Sequence, residues 1–261
     1  MKEIRLCDRG ELERTVTLCM ENNLGIEVQT FHDPYIEDMQ EQLEKHKIHL
    51  SYLGGGKSLH APFWELNSGT KMRGLRKETM DMFNYAYKIA KELGCTEIVV
   101  HNGYYPGTYG YGGWINRATE FWREFFKEKD DSVTMMIENQ FELDSKLMME
   151  LIDAVNDDRL KICLDVGHAH ANSNMAVGDW IRSLGSRIGY FHLHNNHGKQ
   201  NIEGHNNDEH IGLSDGTIDL KSTFELMEQY CPNATWNIET NPLYFEESIG
   251  YLKELGYIDL L

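Results

Sequence analysis

Residues 133–139 read VTMMIEN, residues 160–166 LKICLDV and residues 188–194 IGYFHLH. Each is a short apolar run closed by a polar, chemically active side chain, the pattern of a strand buried on both faces of a parallel sheet. Five further runs of this kind, at residues 3–7, 25–31, 58–61, 96–101 and 235–239, bring the number of expected strands to eight. Between them the apolar period changes from continuous to helical. Leu75, Met82, Ala86, Ile89 and Leu93 keep one face up to Gly94, and Ile115, Ala118, Phe121 and Phe125 repeat the pattern. Gly is a common helix stop, which makes the first boundary credible. Helical spacing also covers residues 11–23, 36–46, 144–156, 176–184, 219–230 and 245–255.

Eight β-then-α units without a Pro/Gly/Ser-rich linker predict an α/β fold, a single (β/α)8 TIM barrel domain covering residues 1–261. An open doubly wound sheet is the alternative, but no G-x-G-x-x-G follows the first strand. The composition agrees: 41% hydrophobic and 11% aromatic residues suit a packed core and exclude disorder as the main state. With 25 Lys+Arg against 42 Asp+Glu the net charge is −17, which opposes a phosphate-rich partner, so no nucleic acid is expected. The five cysteines never fall as C-x-x-C and read as reduced and structural, pointing to the cytoplasm. No signal peptide is expected at the acidic N-terminus, and no apolar run is long enough for a membrane span.

In such a barrel the C-terminal ends of the strands build the active site. Here those ends carry His60, His101, Glu138, Asp165 with His168 just beyond, His192, His194 and Glu239. Carboxylates and imidazoles are the donors that hold hard and borderline divalent cations. Seven of the twelve histidines lie between positions 168 and 210. Several carboxylates converging on one mouth without a cation would each cost several kcal/mol, so packing alone does not explain them. His32, His46 and His49 fall outside this pattern and read as structural, whereas His170, His197 and His205 read as loop or supporting residues. Lys57, Lys71, Arg73, Arg76, Arg117 and Lys199 read as solvated surface charges. Two loops stand out. Residues 195–218 are too long for an ordinary connection, and residues 102–114 (NGYYPGTYGYGGW) read either as aromatic surface packing or as a lid stacking on a sugar ring.

The segments SLHAPF, IVVHNG, IENQF, CLDVGHAH, YFHLHNNHG, NNDEHIGLSDGTID and NIET resemble the successive motifs of the xylose-isomerase-like TIM barrels, the superfamily of sugar phosphate isomerases/epimerases and endonuclease IV. The resemblance runs from about Ser58 to Glu239. It implies that Glu138, Asp165, His192 and Glu239 chelate one divalent metal ion (Mn, Zn, Co or Mg), and that Glu138 and Glu239 are also the catalytic acid/base pair. It further implies substrate-binding or additional metal-binding roles for His60, His101, His168, Asp208 and His210. The expected function is therefore a metal-dependent sugar or sugar phosphate isomerase/epimerase working by proton transfer through an enediolate, with a small carbohydrate as its partner. The alternatives are an endonuclease IV-type zinc phosphodiesterase acting at abasic sites in DNA and an inactive metal-binding relative. Three features depart from the nuclease pattern: Asn195 where it has Asp, IENQF without the usual small residues after EN, and the acidic charge. Ser214-Asp215 also replaces the family's usual Gly-Glu.

Overall fold

The computed structural model describes residues 2–199 and 208–259. The strands β1 (Ile4–Cys7), β2 (Gly25–Val28), β3 (Lys57–His60), β4 (Glu97–His101), β5 (Thr134–Glu138), β6 (Leu160–Asp165), β7 (Ile188–Leu193) and β8 (Thr235–Ile238) pair in chain order. All are parallel, and β8 pairs with β1 to close an eight-stranded TIM barrel. Around it lie α1 (Leu12–Asn22), α2 (Met39–Leu50), α3 (Arg73–Leu93), α4 (Tyr111–Phe126), α5 (Lys146–Val155), α6 (Val166–Asn172), α7 (Val177–Leu184), α8 (Leu220–Tyr230) and α9 (Phe245–Glu254). Among the described residues, no helix is long and apolar enough to cross a membrane. All five cysteines are buried free thiols.

The strand period of two divides the barrel into two environments. Outward residues such as Leu6, Ile26, Ile98, Ile137, Leu164 and Phe191 join the core beneath the helices. Val99, Met136, Cys163 and Tyr190 form a separate small cluster inside the barrel. Below it Arg5 is buried, 2.8 Å from Glu97 and 2.7 Å from Glu3; above it the polar strand ends begin.

Two expectations need correction. The second strand stops at Val28 and a 3-10 turn, Thr30–His32, follows, so residues 29–31 leave the sheet. The 102–114 segment is not a free lid: its last four residues begin α4, and Trp114 is fully buried, donating its indole N–H to Asn67 Oδ1 at 3.0 Å. A side chain on Gly69 would collide with that indole, so the packing is specified from both sides. The sequence reading also missed α6, which is too short to show a helical period.

Candidate metal centre at the barrel mouth

Each polar residue at the mouth is placed by strand register and then aimed by a local bond. His101 lies directly across from Glu138 in the β4–β5 pair, and Asp165 across from His192 in the β6–β7 pair. Asp165 ends β6 and also caps α6, accepting the His168 backbone N–H at 2.6 Å, which fixes where His168 starts from. Glu239 follows β8 directly, and its N–H donates to Leu193 O at 2.9 Å. His210 arrives from the 195–218 loop with φ +47°, a costly conformation for a non-glycine residue that its surroundings hold in place.

The part of this loop outside residues 200–207 is stitched down by Asn195. Its Oδ1 accepts from Asn196 N and Ile218 N, each at 3.0 Å, while its Nδ2 donates to Leu213 O at 3.0 Å. An aspartate could accept those bonds but not donate the last one, so the departure at Asn195 belongs to loop architecture. His205 lies outside the described residues.

Among the described residues, three groups of side chains approach closely enough to hold an ion, the donor atoms within each lying within 4.8 Å of one another. Glu138, Asp165, His192 and Glu239 form the deepest and are all buried. His60 and His101 meet on the other oxygen of Glu138, at 3.4 and 3.2 Å. His168, His194, Asp208 and His210 form the third. All nine sequence-predicted site residues are thus in these groups. His194, named among the strand ends but given no role, joins them, its ring stacked on His210 with centroids 3.9 Å apart and its Nε2 3.1 Å from Asp165. Gly167 makes this possible, since a side chain there would run into the His194 ring.

The deepest group has the donor set of a divalent-cation site and one feature that asks for an ion. His192 Nδ1 is fully buried without a hydrogen-bond partner, although Glu239, Glu138 and Asp165 oxygens lie 2.9, 3.4 and 3.8 Å away. The alignment of this nitrogen with those oxygens is poor for a hydrogen bond, and a shared cation would engage the nitrogen and the three carboxylates together.

The electrostatics agree. Burial works against charge on Glu138 and Glu239, but His192, helped by His101 at Glu138 and His210 at Glu239, holds both carboxyls well below the ordinary range. Burial likewise opposes a proton on His192 and His168, yet the surrounding carboxylates push both imidazoles well above theirs. Where burial prevails, as at His101, the shift is downward. Histidines and carboxylates here favour one another's charged forms, and a divalent ion would compete with the histidine protons for the same carboxylates.

A cavity of about 660 Å³ opens above these groups. Glu138 and Glu239 reach its wall together with His60, His101, His168, Asp208 and His210, whereas Asp165 and His192 lie behind it. The wall also contains Gln29, His32 and Phe63, with the His32 and Phe63 rings stacked at 5.5 Å. Arg9 is the one Lys or Arg side chain on this wall among the described residues, and it donates to Glu239 O at 3.2 Å. The structural reading of His46 holds, its Nδ1 bonding Gln42 O at 2.7 Å, but His32 belongs to the cavity. The sequence reading missed Arg9, Gln29, Phe63 and a buried carboxylate beneath His192, Glu27, whose Oε2 is 3.1 Å from His192 Nε2. An acidic residue between Ile26 and Val28 in an otherwise apolar strand was the available signal for Glu27.

Comparison with known proteins places the chain. It is 25% identical over 196 residues to the uncharacterized protein MJ1311 of Methanocaldococcus jannaschii, an alignment covering 69% of this chain and 63% of that one. The chain thus spans less than two thirds of the length of the curated relatives it matches. Among solved structures it is similar to a D-tagatose 3-epimerase-like protein (TM-score 0.79, 21% identity, covering 97% of this chain and 96% of that one). It is also similar to the TTHB071 protein from Thermus thermophilus, soaked with ZnCl2 (TM-score 0.76, 21% identity, 97% of each chain). At these identities the structural likeness establishes the fold. Residues 14–255 match the family model of the xylose isomerase-like TIM barrel, and the chain belongs to that family.

Proposed function

We propose that this chain is a metal-dependent isomerase or epimerase of a small hydroxylated carbonyl compound, a ketose or aldose. The observation that carries the reading is the division of labour in the deepest group: Glu138 and Glu239 reach the cavity, while Asp165 and His192 stand behind it. Two carboxylates can therefore touch both substrate and ion, and the other two donors serve the ion alone. Glu138, Asp165, His192 and Glu239 would hold one tightly bound divalent ion, which when bound polarises the carbonyl and neighbouring hydroxyl oxygens of the substrate.

One of the two glutamates, ionised because its histidine neighbours favour the charged form, removes the proton from the carbon beside the carbonyl. The C–H electron pair becomes the C=C bond of an enediolate, and the carbonyl π pair moves onto oxygen. The other glutamate, which must start in its protonated form in the loaded enzyme, gives its proton to the opposite face of the same carbon in an epimerisation; in an isomerisation the proton goes to the adjacent carbon while the neighbouring hydroxyl proton passes to the former carbonyl oxygen. In both cases the C=C pair forms the new C–H bond, and exchange with solvent resets the two carboxyls. Each such acid/base role is typically worth about 10² to 10⁴ in rate. His60, His101, Asp208 and His210 remain available to bind hydroxyl groups along the cavity wall. The fold shared with a D-tagatose 3-epimerase-like protein supports a carbohydrate substrate.

The test is turnover of a ketose and aldose panel in heavy water. Deuterium is expected at the carbon beside the carbonyl in product and recovered substrate, with turnover lost in Glu138→Gln and Glu239→Gln. Near-normal turnover in both variants would rule the mechanism out.

A second reading, a three-metal phosphodiesterase of endonuclease IV type, is favoured by one observation: the donors sort into three groups rather than one. The −17 charge and the single arginine on the cavity wall weigh against a DNA backbone there. Metal-dependent nicking of duplex DNA at an abasic site, with three ions per chain, would establish this reading in place of the first.

A further inference from the structure

The histidines of the mouth are aimed in two different ways. His60, His168 and His210 each give Nδ1 to a backbone carbonyl, Ala61 O at 2.9 Å, Asn139 O at 2.9 Å and Glu239 O at 2.7 Å. A carbonyl only accepts, so each such Nδ1 carries the hydrogen when the ring is neutral, leaving Nε2 to face the cavity groups. His192 is reversed. Its Nδ1 faces the three carboxylates, and its Nε2 meets the side chain of Glu27 at 3.1 Å.

Glu27 is fully buried on the inward face of β2, and its side-chain partners among the described residues are His192 and Gln29 rather than a lysine or arginine. A carboxylate buried so deeply is costly unless it serves something. Gln29 extends its reach: the same amide nitrogen is 3.2 Å from Glu27 Oε1 and 2.5 Å from Glu239 Oε1. Glu27, His192, Glu239 and Gln29 therefore form a closed ring of contacts, with the cation-seeking His192 Nδ1 on its inner edge.

We propose that Glu27 is a positioning residue for the metal centre, taking the Nε2 hydrogen of His192 so that Nδ1 presents its lone pair to the ion, and through Gln29 holding one oxygen of Glu239 so that the other turns toward the same point. The proposal rests on the ion placement proposed above, and it concerns the ligand shell rather than the reaction. Carboxylate support behind a ligating imidazole typically changes metal affinity by about 10- to 100-fold.

The test uses the full chain and zinc as the probe. In zinc-loaded protein labelled with ¹⁵N-histidine, His192 is expected to show a hydrogen on Nε2 and a metal-bound Nδ1. By chelator competition, Glu27→Ala is expected to weaken zinc binding by about 10- to 100-fold, and Glu27→Gln, which keeps an oxygen able to accept the Nε2 hydrogen, by less. Phe224→Leu thins the buried stack on Trp236 between α8 and the outer face of β8, where the ring centroids are 4.9 Å apart. It should lower the melting temperature without moving zinc affinity, separating positioning from stability. Zinc affinity in Glu27→Ala within twofold of wild type, or a His192 hydrogen on Nδ1, would overturn the proposal. If Glu27→Ala does not fold, the wild-type spectrum and Glu27→Gln decide. A wild-type chain that binds no zinc would overturn the ion placement and this inference together, whereas zinc binding without sugar turnover would overturn only the isomerase reading.

Discussion

The barrel interior holds charge at both ends and treats it differently. At the bottom, Arg5 is as buried as the deepest residues of the mouth, but it is answered within the protein: Glu97 and Glu3 pair with it, and its guanidinium lies 5.6 Å from the Tyr190 ring. At the top, Glu27, Glu138, Asp165 and Glu239 converge with histidines and the Gln29 amide among them, the nearby Arg9 bonding the Glu239 backbone oxygen rather than a carboxylate, and His192 Nδ1 is left without a hydrogen bond. Buried charge that is internally neutralised serves the fold, whereas buried charge that needs something from outside marks a site. The two clusters stand a few residues apart along the same strands, so the difference comes from which inward positions carry a fixed cation.

The largest expected effect is at the mouth. Glu138→Gln or Glu239→Gln should each lower kcat on whichever sugar is turned over by about 10² to 10⁴, with little change in melting temperature. Activity above a tenth of wild type in both would erase the proposed distinction between the two ends.

The next effect belongs to the bottom. Arg5→Met leaves Glu97 in a largely apolar layer and should cost stability toward the lower end of about 3–5 kcal/mol, because Glu97 keeps 18% of its side-chain surface exposed. Zinc affinity should not move. Urea denaturation and chelator competition on the same preparation check both halves, and a large change in affinity would mean that the ends are coupled.

A third variant sharpens the boundary of the mouth itself. Gly167→Ala would push a methyl group into the His194 ring, so overpacking should cost about 1–3 kcal/mol and displace His194 from Asp165. Metal content then tests whether the third group holds an ion of its own: an unchanged count per chain means that it does not.

The smallest effect concerns Glu142, a buried carboxyl near the mouth that is bonded to Asn102 and to Gln140 N. Burial raises its pKa above the ordinary value, so the folded state holds this proton more tightly than the unfolded chain does. Its contribution to stability is therefore present at low pH and is lost as pH rises through the folded pKa. Glu142→Gln carries no such dependence, so the stability difference between wild type and variant should shift in favour of the variant as pH rises above the ordinary carboxyl value. Urea midpoints of both proteins stripped of metal measure this, and parallel pH curves would contradict it.

The barrel was legible because its evidence is repetitive: eight apolar runs, each followed by a helical period, leave few other folds. Glu138, Asp165, His192 and Glu239 were legible because each stands at or beside a strand terminus. Glu27 was not. The apparent run to residue 31 hid the true end of β2 at Val28, so an inward carboxylate one position before that end looked like mid-strand. His194 stood among the polar strand ends but received no role there, because that role depends on Gly167 and His210, distant in sequence, letting its ring lie flat against the third group. The tyrosines and glycines of residues 102–114 misled in the opposite direction, since composition does not reveal that Trp114 inserts over Gly69. Strand periodicity reports which face a residue takes; it does not report what waits there.

The central claim, that the mouth is built around an ion the protein does not supply, is tested most directly by elemental analysis of the chain purified without chelators. About one tightly held divalent ion per chain is expected, lost in Asp165→Ala and kept in Arg5→Met. Protein that carries no ion and acquires none on dialysis against zinc or manganese would contradict it.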